Sequence, residues 1–375
     1  MITKRLLPDF IVKNMTNGLY EGKIQAFAIF LDMSGFTKLT EKLMKKGPFG
    51  SERLSVILNQ IFGAIVFEIH HGGGFVPYFA GDALTGIFLE SEVDEVAFLK
   101  TLNSIYKLFE KGMFFEESTI TVKIGLSKGE IEWGIVGEDK KAFYFKGEAI
   151  DNSSNNQLVA NAGEIVADLS FKDIFQYHHI PFYVDNKLCK IDEFHFETNS
   201  KFLPIKPTQH ITKEILSHFY SNDIIEMNNN GEFRSVVAIF ISFENLETYS
   251  EINYFVSKIL EEVHNFSGYF KEIDFGDKGG VITIFFGIPI TFENNIERAL
   301  SFVGSLTEHF RHSNIKYRTA ITEGIAFAGI IGGSERSQYA AIGSMVNLAA
   351  RLMTYAHWGE VLVSENISKE KNFKF

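Results

Sequence analysis

One cysteine, Cys189, is all that the 375 residues contain, so no disulfide can form within the chain and no cysteine-based zinc site can be built. Such sparing use points to a reducing, cytoplasmic setting. Runs of Lys or Arg are missing and the formal net charge is −11, which argues against a nucleic-acid partner but suits a nucleotide held through metal. His70-His71 and His178-His179 lack the i, i+4 spacing of a histidine metal site. No apolar run reaches the roughly 18–20 residues that cross a bilayer, and residues 1–12 lack a signal-peptide apolar region, so no membrane span is expected. What is abundant is core material: 45% of the residues are hydrophobic and the 38 Phe fall at core-facing spacing. The length suits two or three domains.

Two acidic residues stand at strand ends. Phe27-Ala28-Ile29-Phe30-Leu31 reads as a strand that stops at Asp32, with Ser34, Gly35, Phe36 and Thr37 opening a helix over 38–45. Backbone N–H groups at such a helix start can hold phosphate. A hairpin is expected from strands at 74–79 and 84–89, its Gly81-Asp82 turn carrying the second acid to the tip. Taken singly, a post-strand Asp is a common N-cap and a Gly-Asp is a common turn. Together, two hard carboxylates on converging turns suit Mg²⁺, which keeps coordination positions for substrate phosphates. A metal pair there can activate an attacking oxygen and stabilise a leaving one.

The chain also repeats itself. Residues 123–137 return in degenerate form as 318–332, and in the same order 27–32 matches 237–242, 72–88 matches 268–286 and 147–159 matches 343–356. A unit this long is a duplicated domain rather than a solenoid repeat. The reading is a first domain over 1–200, a linker over 201–231 with a short amphipathic helix, and a second domain over 232–375. Strands joined by hairpins and mixed with helices indicate an α+β fold with a largely antiparallel sheet. The copies diverge in a complementary way. Copy one keeps Asp32 and Asp82, whereas copy two has Ser242 at the first position and Asp277 near the second. Copy two instead carries Asn347 and Arg351, spaced i, i+4 on one helix face, where copy one has Asp151 and Asn155. A head-to-tail pair would build one complete site and one degenerate site.

At Asp32-Met33-Ser34-Gly35-Phe36-Thr37, Phe79-Ala80-Gly81-Asp82-Ala83-Leu84 and Ile342-Gly343-Ser344-Met345-Val346-Asn347-Leu348-Ala349-Ala350-Arg351 the chain resembles the class III nucleotidyl cyclases, in particular the tandem catalytic core of the soluble adenylyl cyclase type. The likeness covers almost the whole chain and implies two ferredoxin-like domains packed as an intramolecular pseudo-dimer in a monomer. The implied reaction converts ATP to 3′,5′-cyclic AMP and pyrophosphate. The implied cofactors are two Mg²⁺ (or Mn²⁺) ions on Asp32 and Asp82, with the Met33 carbonyl a further ligand. Arg351 would stabilise charge on the α-phosphoryl, Asn347 would orient the ribose, Lys123 would meet the polyphosphate, and Ser34, Gly35, Phe36 and Thr37 would cradle the β and γ phosphates.

The chain departs from that pattern at several positions. The base-reading positions carry Glu272, adjacent to Lys271, and Ala340; Glu at the first of these is the guanylyl cyclase choice, so ATP and GTP both stay open as substrates. Tyr78 and Ser154 stand where the soluble type carries the Lys and Arg of its bicarbonate pocket. A further triphosphate-binding Lys of the family's final hairpin falls beyond Phe375. The degenerate half, lined by Tyr78, Asp151, Ser154, Asn155, Ser242 and Asp277, is expected to hold at most a regulatory small ligand. A guanylyl cyclase, a catalytically silent nucleotide sensor and a palm-type polymerase are the rivals, the last lacking its Gly-Gly-Asp/Glu-Glu-Phe signature. Asn155→Arg alone should leave the amount of cyclic nucleotide formed per mole of protein unchanged. A second catalytic equivalent, measured by chromatographic product assay, would contradict the asymmetry.

Overall fold

The computed structural model describes residues 5–198, 211–227, 231–276, 279–369 and 373. The first half contains helix α1 (Asp9–Thr16), strand β1 (Glu21–Ser34), α2 (Phe36–Met44), α3 (Gly47–His71), β2 (Phe79–Ala80), β3 (Ala83–Leu89), α4 (Glu95–Phe109) and β4 (Met113–Phe115). It continues with β5 (Ser118–Val136), β6 (Ala142–Lys146), α5 (Glu148–Leu158), β7 (Ile165–Asp168), α6 (Lys172–Tyr177), β8 (Tyr183–Asp185) and β9 (Leu188–Ile191). Two short helices, α7 (Lys213–Phe219) and α8 (Asn222–Ile225), precede β10 (Glu232–Glu244), α9 (Tyr249–Asn265), β11 (Tyr269–Gly276), β12 (Gly279–Phe286) and α10 (Asn295–Phe310). The chain closes with β13 (Lys316–Gly332), β14 (Ser337–Ile342), α11 (Ser344–Tyr355), β15 (Val361–Val363) and α12 (Glu365–Ser368).

The order β2-β3-β1-β5-β7 in one sheet is repeated as β11-β12-β10-β13-β15 in the other, antiparallel except for the last, parallel pairing in each. The register repeats too: Asp32 stands opposite Lys123 and Ala83, and Ser242 opposite Arg318 and Val281. The expected tandem of two like α+β domains with largely antiparallel sheets is therefore the observed architecture. Its local cause is pattern. On β1, Phe27, Ile29, Leu31 and Met33 alternate onto the helix-covered face, while Ala26 and Ala28 face the other, also buried, side. On α3, Leu54, Ile57, Leu58, Ile61, Phe62, Ile65 and Val66 recur at helical spacing and sink into the same core. Helix α9 does the same in the second core, fixed at its start by a Thr248/Glu251 capping box.

Three local expectations need correction. Strand β1 runs on through Ser34 instead of stopping at Asp32, since Met33 and Ser34 still pair with Val122 and Thr121. The chain then turns at Gly35, whose φ of 93° belongs to the left-handed region, and a Cβ there would lie 2.6 Å from the Thr119 carbonyl. Helix α2 consequently occupies Phe36–Met44 rather than 38–45. The strand expected at 74–79 shrinks to Phe79–Ala80 plus a single bridge from Phe75 to Ile87. Pro77 has no N–H to give a ladder. Helix α3 is by length and composition able to cross a membrane, but half of its most apolar window is buried in the protein core.

The two halves engage by exchanging arms. Phe327, Ile331, Ala340 and Ile342 of β13 and β14 complete the core around α3, and Val136, Ala142 and Tyr144 of β5 and β6 complete the core around α9. Full burial of side chains of this size is worth roughly 1.5–3 kcal/mol each. Hydrogen bonds fix the register of the exchange: Gly137 N–H donates to Asn253 Oδ1 at 2.9 Å and the Tyr249 hydroxyl to the Ile135 carbonyl at 2.9 Å. In the described part of the expected linker, Leu216, Tyr220, Ile224 and Ile225 pack with Leu6, Leu7 and Val12 against the second sheet. Helix α3 passes so close to the β13–β14 turn that a Cβ on Gly333 would sit 3.0 Å from the Gly63 Cα. Gly63→Leu should therefore lower the thermal midpoint by an amount equivalent to about 1–3 kcal/mol of overpacking. A melt indistinguishable from wild type would refute this close contact.

Candidate active site between the two domains

Asp32 lies near the end of β1 and Asp82 in the β2–β3 turn beside it, tied by a Met33 N–H to Asp82 carbonyl hydrogen bond of 3.1 Å. Both aspartates are half-buried, and neither forms an ion pair among the described residues. Burial, and secondarily the Asp32 charge, pushes the Asp82 carboxyl up to about 6. Burial raises Asp32 as well, partly offset by Lys123 across the strand pair. The one hydrogen bond Asp32 accepts from a side chain among the described residues comes from Gln157 Nε2 of α5, at 3.1 Å. Two desolvated acids that raise one another's cost of ionisation, with a backbone carbonyl alongside, form a donor set that fits a hard divalent cation. No group of three or more His, Cys, Asp or Glu that could hold a metal occurs among the described residues, so water or a substrate phosphate would have to complete any coordination sphere.

The second domain closes the other side. A crevice of about 380 Å³ is lined by Asp32, Asp82, Ala83 and Lys123 from the first domain and by Lys271, Glu272, Asp274, Thr283, Val346, Asn347 and Ala350 from the second. A small adjoining hollow brings Phe36 and Thr37 of α2 together with Asp82, Gly343, Ser344 and Asn347. Thus Asp32, Asp82, Lys123, Asn347, Lys271 and Glu272 share one cleft, with the α2 start beside it. Ser34 is bound into the strand pair opposite Thr121, and Gly35 makes the turn before α2. Arg351 is the exception. It is exposed, and its Nε donates along the helix to the Asn347 carbonyl at 3.4 Å.

At the far end of the crevice the structure adds what the pattern missed. A β-bulge between Phe270 and Glu272 leaves Lys271 without a cross-strand partner on β12. Adjacent residues of a regular strand face opposite ways; here both Lys271 and Glu272 are buried and form an ion pair. Lys271 Nζ also donates to the Phe79 carbonyl at 2.7 Å. Gln338 of β14, absent from the sequence reading, donates through Nε2 to Glu272 Oε2 at 3.1 Å and accepts the Phe79 N–H on its amide oxygen at 2.9 Å. Ala340 packs instead in the apolar core with Phe327 and Ile342. The signal that could have found Gln338 is its place two residues before Ala340, on the same face of a largely apolar strand.

The opposite half is built differently. Ser242 is fully buried with its hydroxyl unpaired, and Asp277 lies outside the described residues. The shared register, with Ala83 opposite Asp32 and Val281 opposite Ser242, makes Gly280 the counterpart of Asp82. Arg318, the counterpart of Lys123, is turned away to the Thr354 and Ala356 carbonyls and the Trp358 ring. Tyr78 is buried beside Asp274, its hydroxyl raised first by burial and then by that charge, and Ser154 lines the same end of the crevice. Asp151 is half-buried and Asn155 exposed on α5.

This fold is that of the class III nucleotidyl cyclase domains. Residues 282–375 match the family of the adenylate and guanylate cyclase catalytic domain. Among relatives, the chain is 25% identical over 384 residues to adenylate cyclase type 10 of Homo sapiens and 26% over 383 residues to that of Mus musculus, each time across 87% of this chain. It spans 23% of the length of these relatives. A solved class III adenylyl cyclase-like ATP-binding protein from Pseudomonas aeruginosa has the same fold, with a TM-score of 0.63 and 12% identity over 92% of this chain and 85% of that one.

Because the two acids are easier to protonate in the folded chain than in an unfolded one, their contribution to stability falls as the pH rises from the ordinary aspartate range through about 6 and is least favourable above that value. Asp82→Asn should consequently raise the metal-free thermal midpoint more at pH 8 than at pH 4.5. Protons should also compete with Mn²⁺, weakening its binding as the pH drops below about 6. Equal stabilisation at both pH values would contradict the raised Asp82 carboxyl.

Proposed function

We propose that the chain is an adenylate cyclase, forming 3′,5′-cyclic AMP and pyrophosphate from ATP at the single cleft between its domains. The domains are taken as 1–200 and 232–375 joined by 201–231. What supports this most is the convergence of Asp32 and Asp82 from one half with Asn347, Lys271 and Glu272 from the other on one crevice. Asp32, Asp82 and the Met33 carbonyl would hold two Mg²⁺ or Mn²⁺ ions, whose chemistry is to activate the ribose 3′-oxygen and neutralise the triphosphate. The α2 start receives the β and γ phosphates through free N–H groups. Asn347 fixes the ribose, Lys123 offsets charge on the polyphosphate, and Arg351 swings from the helix surface onto the α-phosphoryl once that anion is present. Bond making is in line, with the 3′-oxygen attacking phosphorus and pyrophosphate leaving.

A guanylate cyclase is the second reading, and one observation favours it: Glu272 is a buried carboxylate at the base end of the cleft. Lys271 at the same spot favours adenine. Nucleotide and product are tested by incubating the purified chain with ATP or GTP and either Mg²⁺ or Mn²⁺, followed by chromatography. Asp32→Ala and Asp82→Ala should each abolish cyclic nucleotide formation while leaving the circular dichroism spectrum intact. Arg351→Ala should lower the rate by about 10²–10³ with little change in nucleotide affinity, as expected for a donor used in the transition state. Turnover surviving in either aspartate variant would refute the metal assignment. A chain with no product from either nucleotide would instead be a silent nucleotide sensor.

A further inference from the structure

The loop that delivers Asp82 is gripped from the other domain by an arginine that lies outside the crevice lining. Arg336, just ahead of β14, is 3% exposed, and its Nε donates to the Val76 carbonyl at 3.0 Å and Nη2 to the Pro77 carbonyl at 2.5 Å. Its Nη1 reaches the Leu6 carbonyl at 2.8 Å and its own strand at the Ser337 carbonyl. The guanidinium also lies over the Phe79 ring, 5.8 Å from its centre. A planar fork holds carbonyls of three segments along fixed donor directions, which the rotatable ammonium of a lysine does not impose. The charge is not idle in the core, because Glu272 is the carboxylate acting on it. The Leu6 carbonyl takes a second donor, the Tyr220 hydroxyl at 2.9 Å, so the N-terminal segment and the segment between the domains meet at the same point.

The side chains of Val76 and Tyr78 are buried, but the backbone of the gripped loop lies outside the sheet. Between Phe75, which bridges Ile87, and Phe79, which starts β2, residues 76–78 belong to neither strand, and Pro77 cannot donate. Asp82 follows two residues after β2 begins to turn. Displacements at residues 76–79 are therefore passed to the acidic turn. A metal site formed from only two carboxylates and a carbonyl is sensitive to such shifts, since Mg²⁺ and similar ions demand near-ideal geometry.

We infer that Arg336 is a positioning residue for the acidic hairpin: the second domain sets the metal affinity of Asp32 and Asp82 through the Val76 and Pro77 carbonyls. The inference rests on the metal role proposed for those two aspartates. Arg336 does not itself touch the nucleotide.

The test titrates Mn²⁺ alone into the full chain and follows free Mn²⁺ by electron paramagnetic resonance. Arg336→Lys, which keeps the charge but loses the fork, should weaken Mn²⁺ binding by about tenfold or more, and Arg336→Gln at least as much. Nucleotide binding in EDTA should stay within twofold, a separation that general loosening of the core would not give. Wild-type Mn²⁺ affinity in a folded Arg336→Lys variant would overturn the inference. Should neither variant fold, hydrogen exchange on the wild-type chain decides the matter. Coupling is reciprocal, so Mn²⁺ must slow exchange in residues 334–341 of the second domain as well as in 76–82. Protection confined to the first domain would overturn the inference. Failure of the metal role itself would look different: wild-type protein would bind no Mn²⁺ at all, or bind it unchanged in Asp82→Ala.

Discussion

The reciprocal exchange of hairpin arms is the contact on which the rest of the molecule depends. Each core is incomplete alone: the one around α3 takes Phe327, Ile331 and Ile342 from the far domain, and the one around α9 takes Val136 and Tyr144. Because apolar residues fill both exchanges, separating the halves would expose two cores together. The cleft between them therefore has walls of fixed relative position, which is what catalytic geometry at a domain boundary requires. It also places side chains distant in sequence, such as Asp32 and Asn347, around one volume.

Among the described residues, divergence between the two halves explains why the acid pair stands at one register and not at its repeat. The strand registers of the halves still coincide, yet Ser242 and Gly280 occupy the places of the two acids, and Arg318 has been recruited to cap the end of α11. A buried unpaired hydroxyl and a glycine cost less than a second pair of desolvated carboxylates would in the absence of a cation. Absence of the acid pair at the repeated register thus relieves the scaffold. The retained acids on the other side are the reverse case, with local stability given up at a position suited to ion binding.

Much of this was legible in the residues. The alternation in 27–33 and the repeat of 123–137 as 318–332 led to the tandem fold, and of the i, i+4 pair in α11 Asn347 lines the cleft while Arg351 stays on the helix surface. The parts that were not legible have physical reasons. No pattern announces that Lys271 is a bulge residue, because a bulge is set by pairing with β12 rather than by local composition. Gln338 reads as one polar residue in an apolar strand until Glu272 and the Phe79 N–H are seen against it. The strand assigned to 74–79 is lost because Pro77 has no N–H for a ladder, and the Val76 and Pro77 carbonyls accept from Arg336 of the other domain instead.

The most direct test of a shared cleft is a crystal structure of the chain with Mn²⁺ and a non-cyclisable ATP analogue. The account predicts Mn²⁺ on both Asp32 and Asp82, the triphosphate along the start of α2, the ribose against Asn347 and the base beside Lys271 and Glu272. Metal bound away from the aspartate pair, or a nucleotide seated in one domain alone, would contradict it.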